Sequence, residues 1–251
     1  MTENFGFEQD WQTTRWSMVL NAKHATDQSP DSNEADELWH ESLQTLCQLY
    51  WYPLYVFLRR KGYAPDDCQD LTQDFFASLI EKDFLKVVDP NKGRFRWFLM
   101  HAIAKFAASW NTAQAAQKRG GGKKFFSLEF DDGENRYKME PSNSETPESL
   151  FERQWAMTIL ETAITQLKES YHDDGKSRFF DALQVFISPG SIAPNYADVA
   201  LELGVTETAI KVAIHRLRQK YKKTLRRVVL KTLDDPSELD DEIDALMMAL
   251  G

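Results

Sequence analysis

The sequence predicts an all-α protein built from two helical domains. Apolar residues recur at the three-and-four spacing of amphipathic helices, and no series of alternating Val, Ile and Thr runs indicates a sheet. Three consecutive glycines, two prolines and many acidic residues interrupt this pattern between residues 119 and 148. We therefore expect an N-terminal extension at 1–36, a first domain at 37–118, a flexible linker at 119–148, a second domain at 149–232 and an acidic tail at 233–251.

Three helices are predicted in the first domain. The first follows the apolar stripe of residues 38–58 and is kinked near Pro53. The second begins after Ala64, because Pro65 suits the first turn of a helix and the two aspartates that follow complement the positive end of its dipole. The third covers about 95–117, where aromatic and aliphatic residues recur on one side.

In the second domain, residues 196–218 have the spacing of a helix-turn-helix. A short helix ends at Gly204, which can adopt a positive φ without steric cost. Val205 fills the angle between the helices, and Thr206 caps the next one. At 100° per residue, the apolar positions of that second helix fall on one side, so the opposite side is expected to face outward. The outward positions are Thr208, Lys211, Val212, His215, Arg218, Gln219 and Lys222.

Charge is distributed unevenly along the chain. The net charge of -9 argues against an acidic partner for the protein as a whole. Residues 91–124, however, contain eight basic side chains and no acidic one, and residues 196–232 carry nine basic against three acidic side chains. Two separate basic surfaces suit two contacts to one polyanion, although either surface alone could simply be solvated.

Composition also excludes several classes of protein. Cys47 and Cys68 form neither a C-x-x-C pair nor a cluster with His, so we expect two reduced core thiols and neither a metal site nor a cofactor. No leader opens the chain and no apolar run approaches the roughly 20 residues that cross a bilayer. We expect a cytoplasmic protein without membrane contact.

Two further surfaces are predicted in the first domain. Asp67, Asp70, Gln73 and Asp74 lie opposite the apolar stripe of the second helix; such an acidic face can dock a basic protein surface or can be merely solvated. The following basic segment interleaves cationic and aromatic residues, a pattern that can follow phosphates while stacking on unpaired bases. Most of its aromatics are expected in the core, which leaves two tryptophans as candidate base contacts. Its candidate DNA-binding residues are Arg94, Arg96, Trp97, Lys105, Trp110, Lys118 and Arg119.

Taken in order, these segments resemble the extracytoplasmic-function group of RNA polymerase sigma factors, in the sigma-70 family. The resemblance covers about residues 38–229. Residues 67–76 are similar to the family's helix that binds core polymerase, 93–106 to its segment that melts the −10 element, and 196–218 to its −35 reader. Lys105 stands where many members have an Asn. The sequence at 14–17 and at 118–122 and the closing amphipathic segment are similar to an enlarged subgroup of these factors.

The resemblance implies a transcription initiation factor without catalytic residues. Core RNA polymerase would bind Asp67, Asp70, Gln73 and Asp74, and the basic segment would hold unpaired bases of the −10 element. The −35 duplex would be read by Thr206, Thr208, Lys211, Val212, His215, Arg216, Arg218, Gln219 and Lys222. Promoter DNA and core RNA polymerase are therefore the expected partners. An anti-sigma factor or a kinase would restrain the protein, and the sequence does not choose between them.

The tail after Asp234 has a cap at 235–238, and its apolar residues then recur at helical spacing behind an acidic face, at Ile243, Leu246, Met247 and Leu250. We expect this helix to pack on the second domain; alternatively, it folds back on the basic recognition surface as an intramolecular DNA mimic.

Two other classes of function compete with the sigma-factor interpretation. A helix-turn-helix regulator with an N-terminal sensing domain explains the second domain but assigns no task to the basic segment. An enzyme is disfavoured, because the five histidines form no His-x-x-x-His pair and no phosphate-binding Gly-Lys-Thr loop is present.

Overall fold

A computed structural model describes residues 33–81, 94–114, 130–139, 145–188, 191–233 and 235–251. Within these ranges the chain is α-helical and contains no strand, which confirms the all-α class. The α-helices are α1 (Asn33–Arg60), α2 (Pro65–Glu81), α3 (Phe95–Gln114), α4 (Phe130–Met139), α5 (Pro147–Asp173), α6 (Ser177–Leu183), α7 (Tyr196–Leu203), α8 (Glu207–Leu230) and α9 (Leu239–Leu250). Short 3-10 helices cover Gln184–Phe186 and Pro236–Glu238.

The chain divides into two compact units. The first unit comprises Met1–Ala156 and Lys231–Gly251, and the second comprises Met157–Leu230. This division differs from the predicted boundaries at both ends of the second domain. The beginning of α5 belongs to the first unit, and so does the acidic tail that we expected to pack on the second domain.

Helices α1, α2 and α3 pack against one another in the first unit. Helix α2 begins at Pro65, as predicted, and buries the predicted stripe of Leu71, Phe75, Phe76 and Leu79. Pro53 lies within the continuous helix α1. Both Cys47 and Cys68 are free and buried. Because burial raises the pKa of each thiol to about 12, both are neutral core side chains at physiological pH.

Part of the predicted linker is helical, which corrects the prediction of a flexible segment over 119–148. Helix α4 packs on α1, and Gly133 is buried there with no room for a side chain. A Cβ atom at Gly133 would lie 2.9 Å from the ring of Trp51. Glu134 accepts hydrogen bonds from the Tyr55 hydroxyl at 2.6 Å and from Arg59 Nε at 3.0 Å. The helix is therefore anchored by close packing and by a charged hydrogen-bond cluster.

Substituting Glu134 with glutamine is expected to destabilise the first unit by about 1 kcal/mol at pH 7, because one hydrogen bond from Tyr55 and two from Arg59 lose their charged acceptor. Burial raises the pKa of Glu134, but the hydrogen bonds from Tyr55 and Arg59 outweigh it and lower the pKa overall. The stabilising contribution is thus fully present above the unfolded-state pKa of about 4.3 and is lost as the pH falls through the lower folded-state value.

Urea unfolding of both proteins at several pH values measures this difference. The difference in free energy of unfolding between wild type and Glu134→Gln should disappear as the pH falls below about 4. Glu148→Gln is a matched control, since Glu148 is half exposed and forms only a 3.6 Å ion pair with Lys61. A difference in free energy of unfolding that is the same at every pH would contradict the assigned role of the Glu134 carboxylate.

The second unit has one hydrophobic core formed by the end of α5 together with α6, α7 and α8. Leu167, Phe180, Leu183, Val199 and Leu217 are almost fully buried in it. Helices α7 and α8 pack directly against each other. The core therefore fixes the helix pair that the sequence predicted as a helix-turn-helix.

Candidate nucleic-acid and partner surfaces

The turn between α7 and α8 has the local structure predicted from its residues. Asn195 caps α7 by accepting a hydrogen bond from the Ala197 amide at 3.1 Å. Gly204 ends α7 in the left-handed conformation, with φ +67°. Thr206 Oγ1 then accepts from the Ala209 amide at 3.2 Å and caps α8. The predicted helix end at Gly204 and the predicted cap at Thr206 are thus confirmed.

Helix α8 buries one side and exposes the other. Ile210, Ile214 and Leu217 are buried, as the periodicity predicted. All nine residues that the resemblance assigns to reading the −35 duplex are exposed, and we call them the recognition face: Thr206, Thr208, Lys211, Val212, His215, Arg216, Arg218, Gln219 and Lys222. Lys211 forms an ion pair of 2.7 Å with Glu207 one turn earlier. Since surface ion pairs are weak, the Lys211 ammonium stays available to an external anion.

The basic segment of the first unit differs from the prediction at Arg96. We expected Arg96 on a DNA-facing surface, but its side chain is only 2% exposed. Its Nε donates to Glu152 at 2.6 Å, and its Nη1 donates to Glu242 of the tail helix. Its guanidinium carbon also lies 4.2 Å from the centre of the Trp155 ring. In this conformation Arg96 is a core residue and cannot contact DNA.

Arg94 lies at the edge of the same cluster. Its Nε is 3.1 Å from Glu242 Oε2, and its side chain is 29% exposed. Arg94 and Arg96 thus share one carboxylate, and the two arginines are balanced by Glu152 and Glu242. Burial raises the pKa of Glu242, and the two arginines only partly offset that rise. Keeping this carboxylate charged therefore depends on its cationic partners.

The partners of the basic segment, namely Glu152, Trp155 and Glu242, were not predicted from the sequence. Periodicity placed the apolar side of the tail on Ile243, Leu246, Met247 and Leu250, whereas the buried side consists of Leu239, Glu242 and Leu246, and Met247 is 57% exposed. The sequence does contain one indication of this buried side, because Leu239, Glu242 and Leu246 are spaced three and four residues apart. A carboxylate within such a stripe requires a buried cation opposite it.

The other candidates of the basic segment have mixed environments. Lys105 is exposed, as expected of a phosphate contact. Trp97 is 45% exposed, and its indole N–H donates to Glu152. Trp110 is half-buried and donates to Asp74 Oδ2 at 3.2 Å. Lys118 and Arg119 lie outside the described residues, as do residues 14–17 of the N-terminal extension.

The predicted acidic face on α2 is accessible. Asp67 and Asp70 are exposed, whereas Gln73 and Asp74 are half-buried. Partial burial and the adjacent carboxylates of Asp74 and Asp67 raise the pKa of Asp70. These carboxylates repel one another, so docking a basic surface against them would relieve that repulsion.

A cavity of about 440 Å³ adjoins the basic segment and is lined in part by Trp97, His101, Glu148 and Glu152. Both of its carboxylates are paired with cations, Glu148 with Lys61 and Glu152 with Arg96. Among the described residues, no group of three or more His, Cys, Asp or Glu side chains could hold a metal ion. Every helix within the described ranges falls short of what a membrane span requires.

Comparisons of the chain with protein-family models, with curated proteins and with solved structures give no match.

Proposed function

We propose that this chain is a transcription initiation factor of the sigma-70 type, which binds core RNA polymerase and directs it to promoters by contacting their −35 and −10 elements. The observation that carries the proposal is the recognition face of α8. The nine residues of this set, with hydroxyl, amide, imidazole and cationic groups, are all exposed on α8 or at its capped turn. Such a mixture suits base edges and flanking phosphates in a major groove.

The first unit supplies two further surfaces that this function requires. The acidic face of Asp67, Asp70, Gln73 and Asp74 suits docking to a basic surface of the polymerase. The exposed Lys105 and the half-exposed ring of Trp97 suit a phosphate and an unpaired base of a melted −10 element. In this proposal the chain makes and breaks no covalent bond, acts in the cytoplasm, and is restrained by an anti-sigma factor or a kinase.

Run-off transcription with purified core polymerase tests the proposal. A library of promoter fragments with this chain as the only added factor should yield discrete, promoter-specific transcripts. A helix-turn-helix regulator would instead bind DNA but start no transcript in the absence of another sigma factor. That second result would overturn the proposal.

Substitutions on the recognition face sharpen the test. Arg218→Ala should lower promoter-specific initiation about tenfold, the effect of losing one good base or phosphate contact. Lys168→Ala is the matched control, since Lys168 is an exposed cation of the second unit that lies on α5 and not on α8. Equal losses from both substitutions would show a general charge effect rather than recognition by this face.

A charge reversal on α2 tests polymerase binding separately. Asp70→Lys should weaken the affinity for core polymerase more than about tenfold in a pull-down or fluorescence titration, because it places a cation within an acidic docking face. Asp181→Lys makes the same charge change at an exposed position of the second unit and should leave the affinity unchanged.

A further inference from the structure

The acidic tail helix α9 is ion-paired to the basic segment through the carboxylate of Glu242. Glu242 lies on the buried side of α9 between Leu239 and Leu246 and pairs with both Arg94 and Arg96. These two arginines are the first candidate DNA contacts of the basic segment. Glu242 thus gives the two arginines an anionic partner of the kind that a phosphate group offers.

The rest of the tail reinforces this resemblance to a polyanion. Residues 235–251 contain six acidic side chains and no basic one. Asp241 and Asp244 are exposed on α9, so the helix presents negative charge to solvent beside the arginines.

The packing of α9 is limited enough to be reversible. Three of its side chains are buried, namely Leu239, Glu242 and Leu246, while Met247 and Met248 are mostly exposed. Arg96 retains a partner when the tail leaves, because Glu152 binds its Nε and Trp155 packs on its guanidinium. Arg94 has no second carboxylate partner among the described ion pairs and becomes the released cation.

We infer that α9 is an intramolecular competitor of nucleic acid: Glu242 masks Arg94 and Arg96 in the free protein, and the tail must leave before the basic segment can bind the −10 strand. This inference rests on the proposed function and deepens it by assigning regulation to the same site. It differs from the expectation of a tail folded on the α8 recognition face, because the masked surface belongs to the first unit.

The test compares two full-length variants with the same change in charge on the same helix. Glu242→Gln removes the buried carboxylate, and Asp241→Asn removes an exposed one. Binding of a fluorescein-labelled oligothymidine of about 20 nucleotides, longer than a typical single-strand site, is measured by anisotropy against salt concentration. Glu242→Gln should bind about tenfold more tightly than Asp241→Asn, and its log–log salt slope should be steeper by about 0.7 for each additional phosphate that the protein neutralises.

A second variant tests whether release of α9, and not a folding defect in Glu242→Gln, causes the tighter binding. Leu246→Ala weakens the packing of α9 while leaving all charges in place, since Leu246 is fully buried on the same side of the helix. It should also raise the affinity for the oligonucleotide, and circular dichroism should report the helix content of wild type for both variants. If both variants bind no more tightly than Asp241→Asn, the inference is overturned.

Transcription separates failure of the inference from failure of the proposed function. With core polymerase, Glu242→Gln should initiate at lower factor concentration than Asp241→Asn. Promoter-specific initiation by wild type with no difference between the two variants overturns the inference and leaves the proposed function intact. Absence of initiation by every variant overturns the proposed function, and the inference falls with it.

Discussion

Replacing Arg96 with alanine is expected to destabilise the first unit by about 3–5 kcal/mol, because the buried Glu242 keeps only Arg94 as a cationic partner and Glu152 loses its own. The Arg96 side chain is 2% exposed and binds Glu152 and Glu242, which belong to α5 and α9. It also packs on the ring of Trp155, so the substitution removes a cation–π contact and side-chain volume together. Denaturant unfolding followed by tryptophan fluorescence measures the loss.

Arg94→Ala is the matched control for this prediction. Arg94 makes one ion pair with Glu242 and keeps 29% of its side chain in solvent, so its loss should cost about 1 kcal/mol. A double-mutant cycle with Glu242→Gln should show strong coupling to Arg96, since each substitution removes the other's partner. Similar costs for Arg94→Ala and Arg96→Ala would contradict a structural role for Arg96.

The basic segment contains both a buried cation, Arg96, and an exposed one, Lys105. This mixture explains why the sequence analysis wrongly placed Arg96 on the surface. Interleaved basic and aromatic residues predict a nucleic-acid surface when every cation is assumed to face solvent. Glu242 lies 146 residues away from Arg96 in the chain, and no local pattern links the two. The pairing follows from tertiary packing, which local periodicity does not encode.

The helix-turn-helix was predictable for the opposite reason. Its turn depends on neighbouring residues: Gly204 supplies the positive φ, Thr206 caps α8, and Val205 packs against the core between them. Each of these roles is fixed by the chemistry of a residue within a few positions. Periodicity then separated the buried and exposed sides of α8 without knowledge of the rest of the fold.

Helix α4 lies in a segment that the sequence analysis predicted as a linker, and the reason is its poor helix propensity. Its sequence contains Gly133 at a helical position and several acidic residues, which favoured a linker. The glycine is required because the Trp51 ring of α1 occupies the space of a Cβ atom, and Glu134 is required as the acceptor for Tyr55 and Arg59. Poor helix propensity is thus outweighed by contacts that form only when α4 packs on α1.

Truncating Leu217 to alanine is expected to destabilise the second unit by about 2–5 kcal/mol, because Leu217 is fully buried where α8 packs into the core. The cavity would also loosen the packing that holds the recognition face. Leu201→Ala is the matched control: this leucine of α7 is 85% exposed, so its truncation should change stability by less than about 0.5 kcal/mol.

Thermal and urea unfolding of the full chain measure both leucine variants. If the recognition face depends on the core, Leu217→Ala should lose affinity for promoter DNA on approaching its lowered midpoint, while Leu201→Ala keeps wild-type binding at the same temperature. Equal midpoints for the two variants would mean that α8 is not held by this core. Since Ile214 and Ile210 bury the same side of α8 one and two turns earlier, the loss should extend along the helix to Lys211 and His215 on its exposed side.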